Sequence, residues 1–437
     1  MGEAGVPMTD GEKLNELQLC AIEIAEKGQN LFLTGSGGVG KSFALEHIRQ
    51  KLQDRGRYVR VAASTGIAAL NVGGCTIHSL LGTGIASRES EARQKAKSSK
   101  VVEHAARRLD PINVMVIDEV SMLAGDYLDM MDWWLRRVLV SNELFAGIQV
   151  VFLGDFLQLP PVEKRDEVPY ERKFGFQARS WEAARIKAVE LTHSYRQSDQ
   201  GMVDALNRLR YGRFDDEVAE IFAPCVGRHL EDPTRLCATN RAAQNVNLRK
   251  LIQLPGREYH YSARVEGLGK YAQENARRIT QNVIAEEELQ LKVGAPVIML
   301  VNDRELGFVN GSRARVLECG EHCVTVELED SGRVEDVYRH TWEQRDGNGR
   351  VTAEFRQFPV KLAWALTIHK SQGMSLDRVA VDLAAVFERG QAYVALSRAR
   401  SLEGLCLDHA LHPADVFAHP ECVEYYQNGG FRRWEYS

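Results

Sequence analysis

Short runs of apolar residues recur along the first half of the chain, and a polar turn and a helical pattern follow each of them. The runs of strand length lie at 30–33, 58–62, 112–117, 148–153 and 187–191. Strands rich in Val, Ile and Leu that alternate with helices are typical of a parallel sheet covered on both faces. After Lys41, an apolar stripe of Leu45, Ile48 and Leu52 ends before Gly56, which predicts a helix.

The second half repeats this alternation but contains a stretch of a different kind. Apolar runs at 234–239, 360–366, 379–383 and 402–407 predict a second sheet. Between them, short runs at 296–301, 314–318, 323–328 and 335–338 are separated by Gly, Asn and Asp and lack helical spacing. This stretch predicts a small all-β insertion. The expected fold class is therefore α/β, with two parallel sheets and a β insertion in the second domain.

Composition and charge narrow the class of protein. The chain has 437 residues, of which 44% are hydrophobic and 26% charged, as in a globular protein. At about 150 residues per domain, this length allows two to four domains. No run of 18 apolar residues and no basic, apolar leader is present, so we expect neither a membrane segment nor secretion. The net charge of -5 disfavours a protein that coats DNA nonspecifically, although it permits a local basic groove.

Three side chains of the types that bind zinc lie close together within residues 319–323. Cys319, His322 and Cys323 form this group, but no second pair with zinc spacing accompanies them. Buried thiols are therefore the favoured interpretation of the eight cysteines, and a structural zinc is the alternative.

One segment matches a nucleotide-binding motif in full. Residues 35–42 read Gly-Ser-Gly-Gly-Val-Gly-Lys-Ser, which fits G-x-x-x-x-G-K-[ST] between a predicted strand and a predicted helix. The backbone N–H groups of such a loop converge on phosphate oxygens, the lysine reaches the terminal phosphates, and the hydroxyl binds Mg²⁺. The expected ATP-binding residues of the loop are Gly35, Gly37, Gly38, Val39, Gly40, Lys41 and Ser42. A glycine turn with a chance lysine is the disfavoured alternative.

Acidic and amide side chains follow two later strands. Asp118 and Glu119 come directly after the run 112–117, and Gln158 lies in a polar turn after 148–153. Ligands of open α/β sheets gather at the carboxyl ends of the strands. We therefore expect Asp118 to hold Mg²⁺ together with Ser42, and Glu119 to accept a proton from an attacking water. Gln158 is expected to bond the γ-phosphate or that water, with a proline-stiffened loop as the alternative.

An ordered set of motifs resembles the superfamily 1B helicases of the PIF (petite integration frequency) type, from about Leu14 to Leu407. Besides the phosphate loop, the matching segments are Leu-Asn-Glu-Leu-Gln at 14–18, Ser-Thr-Gly-Ile-Ala-Ala-Leu at 64–70, Thr-Ile-His-Ser at 76–79, Asp-Glu-Val-Ser-Met at 118–122, Gly-Asp-Phe-Leu-Gln-Leu-Pro-Pro at 154–161, Ser-Tyr-Arg-Gln at 194–197, Thr-Asn at 239–240, Thr-Ile-His-Lys-Ser-Gln-Gly at 367–373 and Tyr-Val-Ala-Leu-Ser-Arg-Ala at 393–399.

The resemblance implies two RecA-like P-loop domains, with ATP in the cleft between them and single-stranded DNA across both. It implies that Gln18 contacts adenine, and that Arg196 and Arg398 reach the γ-phosphate from the side of the second domain. Arginines supplied across a mobile interface stabilise the charge that develops in phosphoryl transfer. The expected catalytic set is then Glu119, Lys41, Gln158, Arg196 and Arg398. The residues expected near the DNA strand are Thr65, Gly66, His78, Thr367, His369, Ser371 and Gln372.

The resemblance also implies a division into domains. The first RecA-like domain is expected at 12–83 and 109–197, with a small insertion at 84–108 that helps to split the duplex. The second is expected at 198–260 and 360–437, with an SH3-like insertion at 261–359. Six Lys or Arg stand against two Glu at 91–108, which predicts a solvated helix face or a contact with phosphates. The segment 144–148 and Ser375 depart from the family pattern, so a RecD-like or phage-type relative is the alternative.

The predicted function is ATP-dependent unwinding of DNA from 5′ to 3′, with ATP and Mg²⁺ as cofactors. The expected partners are single-stranded DNA and forked or 5′-tailed duplex DNA, and the expected protein is a monomer without a membrane association. The expected location is cytoplasmic in bacteria or phage, and nuclear or mitochondrial in eukaryotes. The resemblance implies roles in DNA repair, recombination and telomere maintenance, including at G-quadruplexes. The alternatives are an RNA helicase of the same superfamily, a nucleic-acid-dependent ATPase that does not unwind, and a phosphotransferase.

Overall fold

The computed structural model describes residues 14–65, 68–69, 72, 75–83, 86, 88–163, 168–197, 199–283, 285–301, 303, 305–308, 312–329, 331–345, 351–372, 374–383 and 386–428. Gly66, one of the predicted DNA contacts, lies outside these residues. Within the described ranges, no helix has both the length and the apolar character that crossing a membrane requires.

The first sheet is parallel throughout. Its strands are β1 (Leu31–Gly35), β2 (Val59–Ala63), β3 (Cys75–Thr76), β4 (Val114–Asp118), β5 (Gln149–Leu153) and β6 (Lys187–Leu191). They lie in the order β3-β2-β4-β5-β1-β6. Because the carboxyl ends of parallel strands share one edge, the segments that follow β1, β4 and β5 meet there. These segments carry the predicted nucleotide-binding and catalytic residues.

Helices flank this sheet and supply two cores. They are α1 (Glu16–Glu26), α2 (Lys41–Asp54), α3 (Ile77–Leu81), α4 (Glu89–Lys95), α5 (Ser99–Leu109), α6 (Gly125–Val138) and α7 (Arg179–Ala183). Successive side chains of a strand point to opposite faces, so Val116 packs in one core and Met115 in the other. The stripe of α2 is buried as predicted, which stabilises the helix that follows the phosphate loop.

The second sheet is also parallel, which confirms the predicted α/β class. Its strands are β7 (Thr234–Cys237), β18 (Ala365–Thr367), β19 (Val379–Val381) and β20 (Leu405–Leu407), in the order β18-β7-β19-β20. The helices of this part are α8 (Gln200–Arg210), α9 (Asp216–Phe222), α10 (Asn240–Gln253) and α12 (Gln391–Leu396).

An antiparallel β region lies in sequence between β7 and β18. Its five-stranded sheet has the order β14-β13-β12-β11-β17 and consists of β11 (Pro296–Met299), β12 (Arg313–Cys319), β13 (Cys323–Leu328), β14 (Val334–Tyr338) and β17 (Val360–Leu362). Two smaller sheets contain β8 (Tyr259–Ser262) with β10 (Glu288–Leu291), and β9 (Arg264–Gly267) with β15 (His340–Arg345) and β16 (Val351–Gln357). One helix, α11 (Ala272–Asn282), packs against β9 and β16.

Two expectations for this region are wrong. The run 360–366 was expected to form one strand of the second sheet, but it contains two strands. β17 pairs antiparallel with β11, whereas β18 pairs in parallel with β7. Both strands are buried, so apolar character alone does not separate them. The insertion is also not all-β, because α11 lies within it and buries Ile279.

The last helix, α13 (Pro420–Gln427), returns to the first sheet. Its Cys422 and Tyr426 are buried in the same core as Phe32 and Met115. The helix lies in the range expected for the second domain, yet it packs against the first. We call the first sheet with its helices the first lobe, and the second sheet with its helices the second lobe. The two lobes are therefore joined both by the connection after β6 and by the end of the described chain. The proposed domain boundaries stay a prediction.

Candidate nucleotide site and DNA surface

The phosphate-loop motif forms the turn between β1 and α2. Gly38 and Gly40 have φ angles of 84° and 82°, in the left-handed region that glycine adopts without strain. α2 begins at Lys41, so the N–H groups of its first turn have no partner within the helix and are free to bind an anion. The described loop therefore has the backbone form that the motif predicts for a phosphate cradle.

Lys41 folds back over this loop. Its Nζ donates hydrogen bonds to the carbonyl oxygens of Gly35 at 2.8 Å and Ser36 at 2.9 Å. Burial lowers the pKa of the Lys41 amine, and the carboxylates of Asp155 and Glu119 oppose this effect. The cation thus lies inside the loop with its donors directed at backbone oxygens.

Asp118 and Glu119 lie at the carboxyl end of β4. The Glu119 N–H donates to Asp118 Oδ1 at 2.8 Å, and Glu119 has a left-handed φ of 53°. Burial raises the pKa of the Asp118 carboxyl, and the adjacent Glu119 raises it further. A divalent cation would stabilise the charged form of Asp118. Asp118 and the Ser42 hydroxyl at the start of α2 are therefore the residues that would hold a Mg²⁺, which prefers oxygen ligands.

Two arginines lie over the phosphate loop. An alanine Cβ at Gly37 would lie 3.2 Å from Arg196 Nη1 and 3.3 Å from Arg398 Nη2. Arg196 Nη1 donates to the Ser397 carbonyl at 3.1 Å, and Arg398 Nε donates to the Val394 carbonyl at 2.8 Å. Within the described chain, their side-chain hydrogen bonds go to carbonyl and hydroxyl oxygens and none goes to a carboxylate. Burial lowers the pKa of both guanidinium groups, and the charge of Glu119 opposes this effect at each of them.

The two arginines reach the loop from different parts of the chain. Arg398 follows α12 of the second sheet. Arg196 belongs to the segment after β6. This segment contacts the phosphate loop through the Tyr195 N–H, which donates to the Gly38 carbonyl at 2.9 Å. The expectation that both come from the side of the second domain is therefore met by Arg398, whereas Arg196 comes from the connection between the sheets.

Gln18 borders the loop from α1. It is fully buried and forms a reciprocal cap with Asn15, in which each backbone N–H donates to the other side chain. Its Nε2 also donates to the Gly40 carbonyl at 3.4 Å. The Tyr195 hydroxyl accepts from Asn15 Nδ2 at 3.1 Å, so an aromatic ring lies beside the predicted adenine contact. Sequence reasoning missed Tyr195, although it directly precedes Arg196.

Tyr393 is a second residue that sequence reasoning missed. Its hydroxyl accepts a hydrogen bond from the Gly37 N–H at 3.0 Å. Burial raises the pKa of Tyr393 to about 12, so the hydroxyl stays protonated near neutral pH. The tyrosine lies on α12, and this bond therefore connects the second sheet directly to the phosphate loop. The only sequence signal was its place at the start of the motif that contains Arg398.

The predicted DNA contacts of the first lobe lie near its sheet edge. The Thr65 hydroxyl accepts from the Ala68 N–H at 3.2 Å. His78 lies on α3, half-buried, with its ring centroid 4.8 Å from that of Tyr127. Burial and the nearby Lys95 lower the pKa of His78, which favours a neutral imidazole. In the insertion at 84–108, some of the basic side chains form ion pairs within their own helix, as Arg107 does with Glu103.

The predicted contacts of the second lobe do not share one orientation. Thr367 ends β18 and accepts from the Lys370 N–H at 3.4 Å, and His369 is half-buried with a pKa lowered by burial. Ser371 is fully buried and donates to the Ile368 carbonyl at 2.8 Å. Gln372 donates to Glu119 and to Gln158 in the nucleotide site. Ser371 and Gln372 therefore form hydrogen bonds within the protein, and their contact with DNA stays a prediction.

A buried ion pair lies beneath the nucleotide site. Arg210 donates to both carboxylate oxygens of Asp155 at 2.9 Å and to Glu190 at 3.0 Å. Asp155 has no exposed surface, and the Tyr426 hydroxyl lies 3.4 Å from its Oδ1. The network links α8, the segment after β5 and α13. Asp155 was noted only as part of a motif, and no local pattern indicated its partners.

Five of the eight cysteines are buried, in line with the buried-thiol interpretation, whereas Cys75, Cys323 and Cys406 are half-buried. Cys319 is buried, and burial raises the pKa of its thiol. Among the residues that the structure places, no group of three or more His, Cys, Asp or Glu side chains is arranged to hold a metal.

Family models match most of the described chain in sequence. The model described as PIF1-like helicase matches residues 14–222, and the model of the DNA helicase Pif1 2B domain matches residues 274–318. A third model, described as a helicase, matches residues 352–414. The matches cover both lobes and the β insertion.

Whole proteins and solved structures extend this similarity. The chain is 33% identical over 426 residues to the ATP-dependent DNA helicase Pif1 of Bdellovibrio bacteriovorus, covering 97% of this chain and 94% of that protein. It is 37% identical over 423 residues to the ATP-dependent DNA helicase PIF1 of Xenopus laevis, covering 95% of this chain but only 64% of that longer protein. The crystal structure of the Pif1 helicase from Candida albicans superposes with a TM-score of 0.86 at 34% identity, over 96% of this chain and 100% of that one. The chain belongs to the PIF1-like helicase family.

Proposed function

We propose that the chain is an ATP-dependent DNA helicase that moves 5′ to 3′ along single-stranded DNA and unwinds duplex DNA. The observation that carries this proposal is the meeting of Arg196 and Arg398 over Gly37 of the phosphate loop. The buried Arg398 and the half-buried Arg196 have no carboxylate hydrogen-bond partner among the described residues, which suits a polyanionic ligand. The phosphate loop belongs to the first lobe and Arg398 to the second. A nucleotide on the loop would therefore be bound by both lobes.

The residues around the loop have the roles that ATP hydrolysis requires. Lys41 is placed to exchange its carbonyl partners for phosphate oxygens, and the half-buried Glu119 supplies a carboxylate that accepts the proton of an attacking water. Gln158 is placed to orient that water. Asp118 and Ser42 would hold Mg²⁺, which when bound neutralises phosphate charge. These assignments account for hydrolysis without a phosphate acceptor other than water, which disfavours a phosphotransferase.

Contacts between the lobes supply the link from hydrolysis to movement. Tyr393 of α12 bonds the Gly37 N–H, and Arg196 bonds the carbonyl of Ser397 next to Arg398. Loss of the γ-phosphate next to Gly37 would therefore alter contacts that the second lobe makes directly with the loop. Closing and opening of the cleft in each ATP cycle would then move Thr65 and His78 relative to Thr367 and His369, which hold the strand.

The proposed partners are single-stranded DNA and forked or 5′-tailed duplex DNA. A related Bacteroides Pif1, whose crystal structure is described as bound to single-stranded DNA, superposes at 30% identity with a TM-score of 0.80 over 97% of this chain. The choice of DNA over RNA rests on this relationship, and the 5′-to-3′ polarity rests on the resemblance to superfamily 1B helicases. The protein is proposed to act as a monomer in the cytoplasm of a bacterial host, or in the nucleus or mitochondrion of a eukaryotic one.

Strand separation on matched substrates tests this function. We expect ATP-dependent unwinding of a DNA duplex with a 5′ single-stranded tail and none of its 3′-tailed counterpart. Lys41→Ala is the control that should abolish the activity. Unwinding of only the RNA versions would indicate an RNA helicase, and DNA-stimulated hydrolysis without strand separation would indicate an ATPase that does not unwind. Either result would contradict the proposal.

A further inference from the structure

Gln372 connects the predicted DNA-binding turn to the catalytic carboxylate. It follows the short 3-10 turn His369–Ser371, which leads out of β18. Its Nε2 donates to Glu119 Oε2 at 3.0 Å and lies 3.5 Å from Gln158 Oε1. Gln372 is 7% exposed and Gln158 is 5% exposed, so bulk water competes little for these bonds.

The contact joins the two sheets at the reacting end of the site. Glu119 follows β4 of the first sheet, and Gln372 follows β18 of the second. A hydrogen bond to a carboxylate is roughly twice as strong as one between neutral groups, so this donor fixes the direction in which Glu119 points. The other end of the same amide, Oε1, is buried without a partner among the described residues. Among the described residues, the hydrogen bonds of this side chain go to Glu119 and Gln158.

Hydrogen bonds within the turn that carries Gln372 hold its residues together. The Gln372 N–H donates to the His369 carbonyl at 3.3 Å, and the Ser371 hydroxyl donates to the Ile368 carbonyl at 2.8 Å. Because these bonds make 368–372 one compact unit, a strand that shifts His369 also shifts Gln372. The amide would carry that shift to Glu119.

We infer that Gln372 is a positioning residue that aligns Glu119 for hydrolysis in response to DNA bound at His369 and Thr367. This inference rests on the proposed function and departs from the expectation that Gln372 contacts DNA. The residue acts through Glu119 and touches neither the nucleotide nor the strand. Its loss should therefore lower the turnover of ATP while leaving the binding of both ligands intact.

The test compares Gln372→Leu with Gln391→Leu in the full chain. Gln391 is also fully buried in the second lobe, and within the described part of the chain its side chain bonds only backbone groups of Phe387, Glu388 and Ala238. We expect Gln372→Leu to lower kcat at saturating oligothymidylate by about 10- to 100-fold, because misplacing a catalytic group by about 1 Å has an effect of that size. KM for ATP and the Kd for the oligonucleotide should stay within about twofold of wild type, as should every parameter of Gln391→Leu.

A second variant keeps the inference testable if Gln372→Leu folds poorly. Gln372→Glu preserves the shape of the side chain but replaces the donor with a charge that repels Glu119, so its kcat should fall at least as far. Wild-type kcat at saturating DNA in either folded variant would overturn the inference. A weaker Kd for DNA with unchanged kcat would do the same, since it would mean that Gln372 contacts the strand. An equal loss in Gln391→Leu would show a general structural effect and overturn it too.

These outcomes differ from a failure of the proposed function. A wild-type protein whose ATP hydrolysis does not respond to DNA would overturn the helicase proposal and this coupling together. A wild-type protein that responds to DNA, combined with unaffected Gln372 variants, would overturn the coupling alone.

Discussion

The Tyr426 hydroxyl and the Thr34 hydroxyl share a hydrogen bond of 2.6 Å, although the two residues lie 392 positions apart. Thr34 belongs to β1, one residue before the phosphate loop, and Tyr426 belongs to the last described helix. The same phenol accepts from the Phe156 N–H at 3.3 Å and lies 3.4 Å from Asp155 Oδ1. The end of the described chain therefore supports the strand and the turn that form the nucleotide site.

Tyr426→Phe should destabilise the protein by about 1–3 kcal/mol, because it leaves buried polar partners unsatisfied while retaining the ring. The free energy of unfolding in urea measures this effect. Tyr338→Phe is the control, since Tyr338 is 60% exposed and its substitution should change stability little. Equal stability of the two variants would contradict a structural role for the Tyr426 hydroxyl.

Arg210→Ala should be more damaging than Tyr426→Phe. Arg210 is 4% exposed and its ion pair with Asp155 is fully enclosed, so removing it leaves a buried carboxylate without its partner. Breaking such a pair costs about 3–5 kcal/mol. Arg208→Ala is the matched control on the same helix, because Arg208 pairs with Asp215 and Glu217 at the exposed surface. If urea unfolding showed similar losses for both variants, the buried network would not be the cause.

Glu119→Gln should separate nucleotide binding from turnover. The amide keeps the shape of the side chain but accepts no proton, and loss of a general base lowers kcat by about 10²- to 10⁴-fold. Titration with a fluorescent ATP analogue should show binding close to wild type, whereas Lys41→Ala should weaken it because the loop loses its cation. Rapid phosphate release by either variant would contradict the role assigned to the substituted residue.

His78 should make folding sensitive to mild acid. Burial and Lys95 lower the pKa of His78 in the folded state, so the unfolded chain binds a proton more readily than the folded chain between the lowered value and about 6.5. Stability is then complete above about pH 6.5 and falls as the pH drops below that value. His78→Gln should reduce this pH dependence when the free energy of unfolding is measured from pH 8 to pH 5. An unchanged slope would mean that His78 does not contribute.

The parts of the site that are local in sequence were predictable. The phosphate loop, the acid pair after β4 and the parallel sheet follow from short motifs and from apolar runs, because each depends on neighbouring residues. The partners of Asp155 could not be predicted in this way, since Arg210 and Tyr426 reach it from distant helices. Single sequences contain no local signal for such contacts.

The features that the sequence did not predict have physical causes of the same kind. The run 360–366 is apolar throughout because both β17 and β18 are buried, although they belong to different sheets. Gln372 was expected near DNA together with its motif neighbours, and the structure also shows its amide donating to Glu119, a contact that no local pattern indicated. Which way a side chain leaves a turn depends on backbone geometry that residue types alone do not specify.

The turnover rate of ATP in Arg196→Ala at saturating DNA tests the central claim most directly. If the two guanidinium groups over Gly37 stabilise the charge that develops on the transferred phosphate, this variant should hydrolyse ATP about 10³-fold more slowly than wild type while still binding nucleotide and DNA. A rate within about twofold of wild type would contradict the account, because the loop would then act without the arginine that the structure places over it.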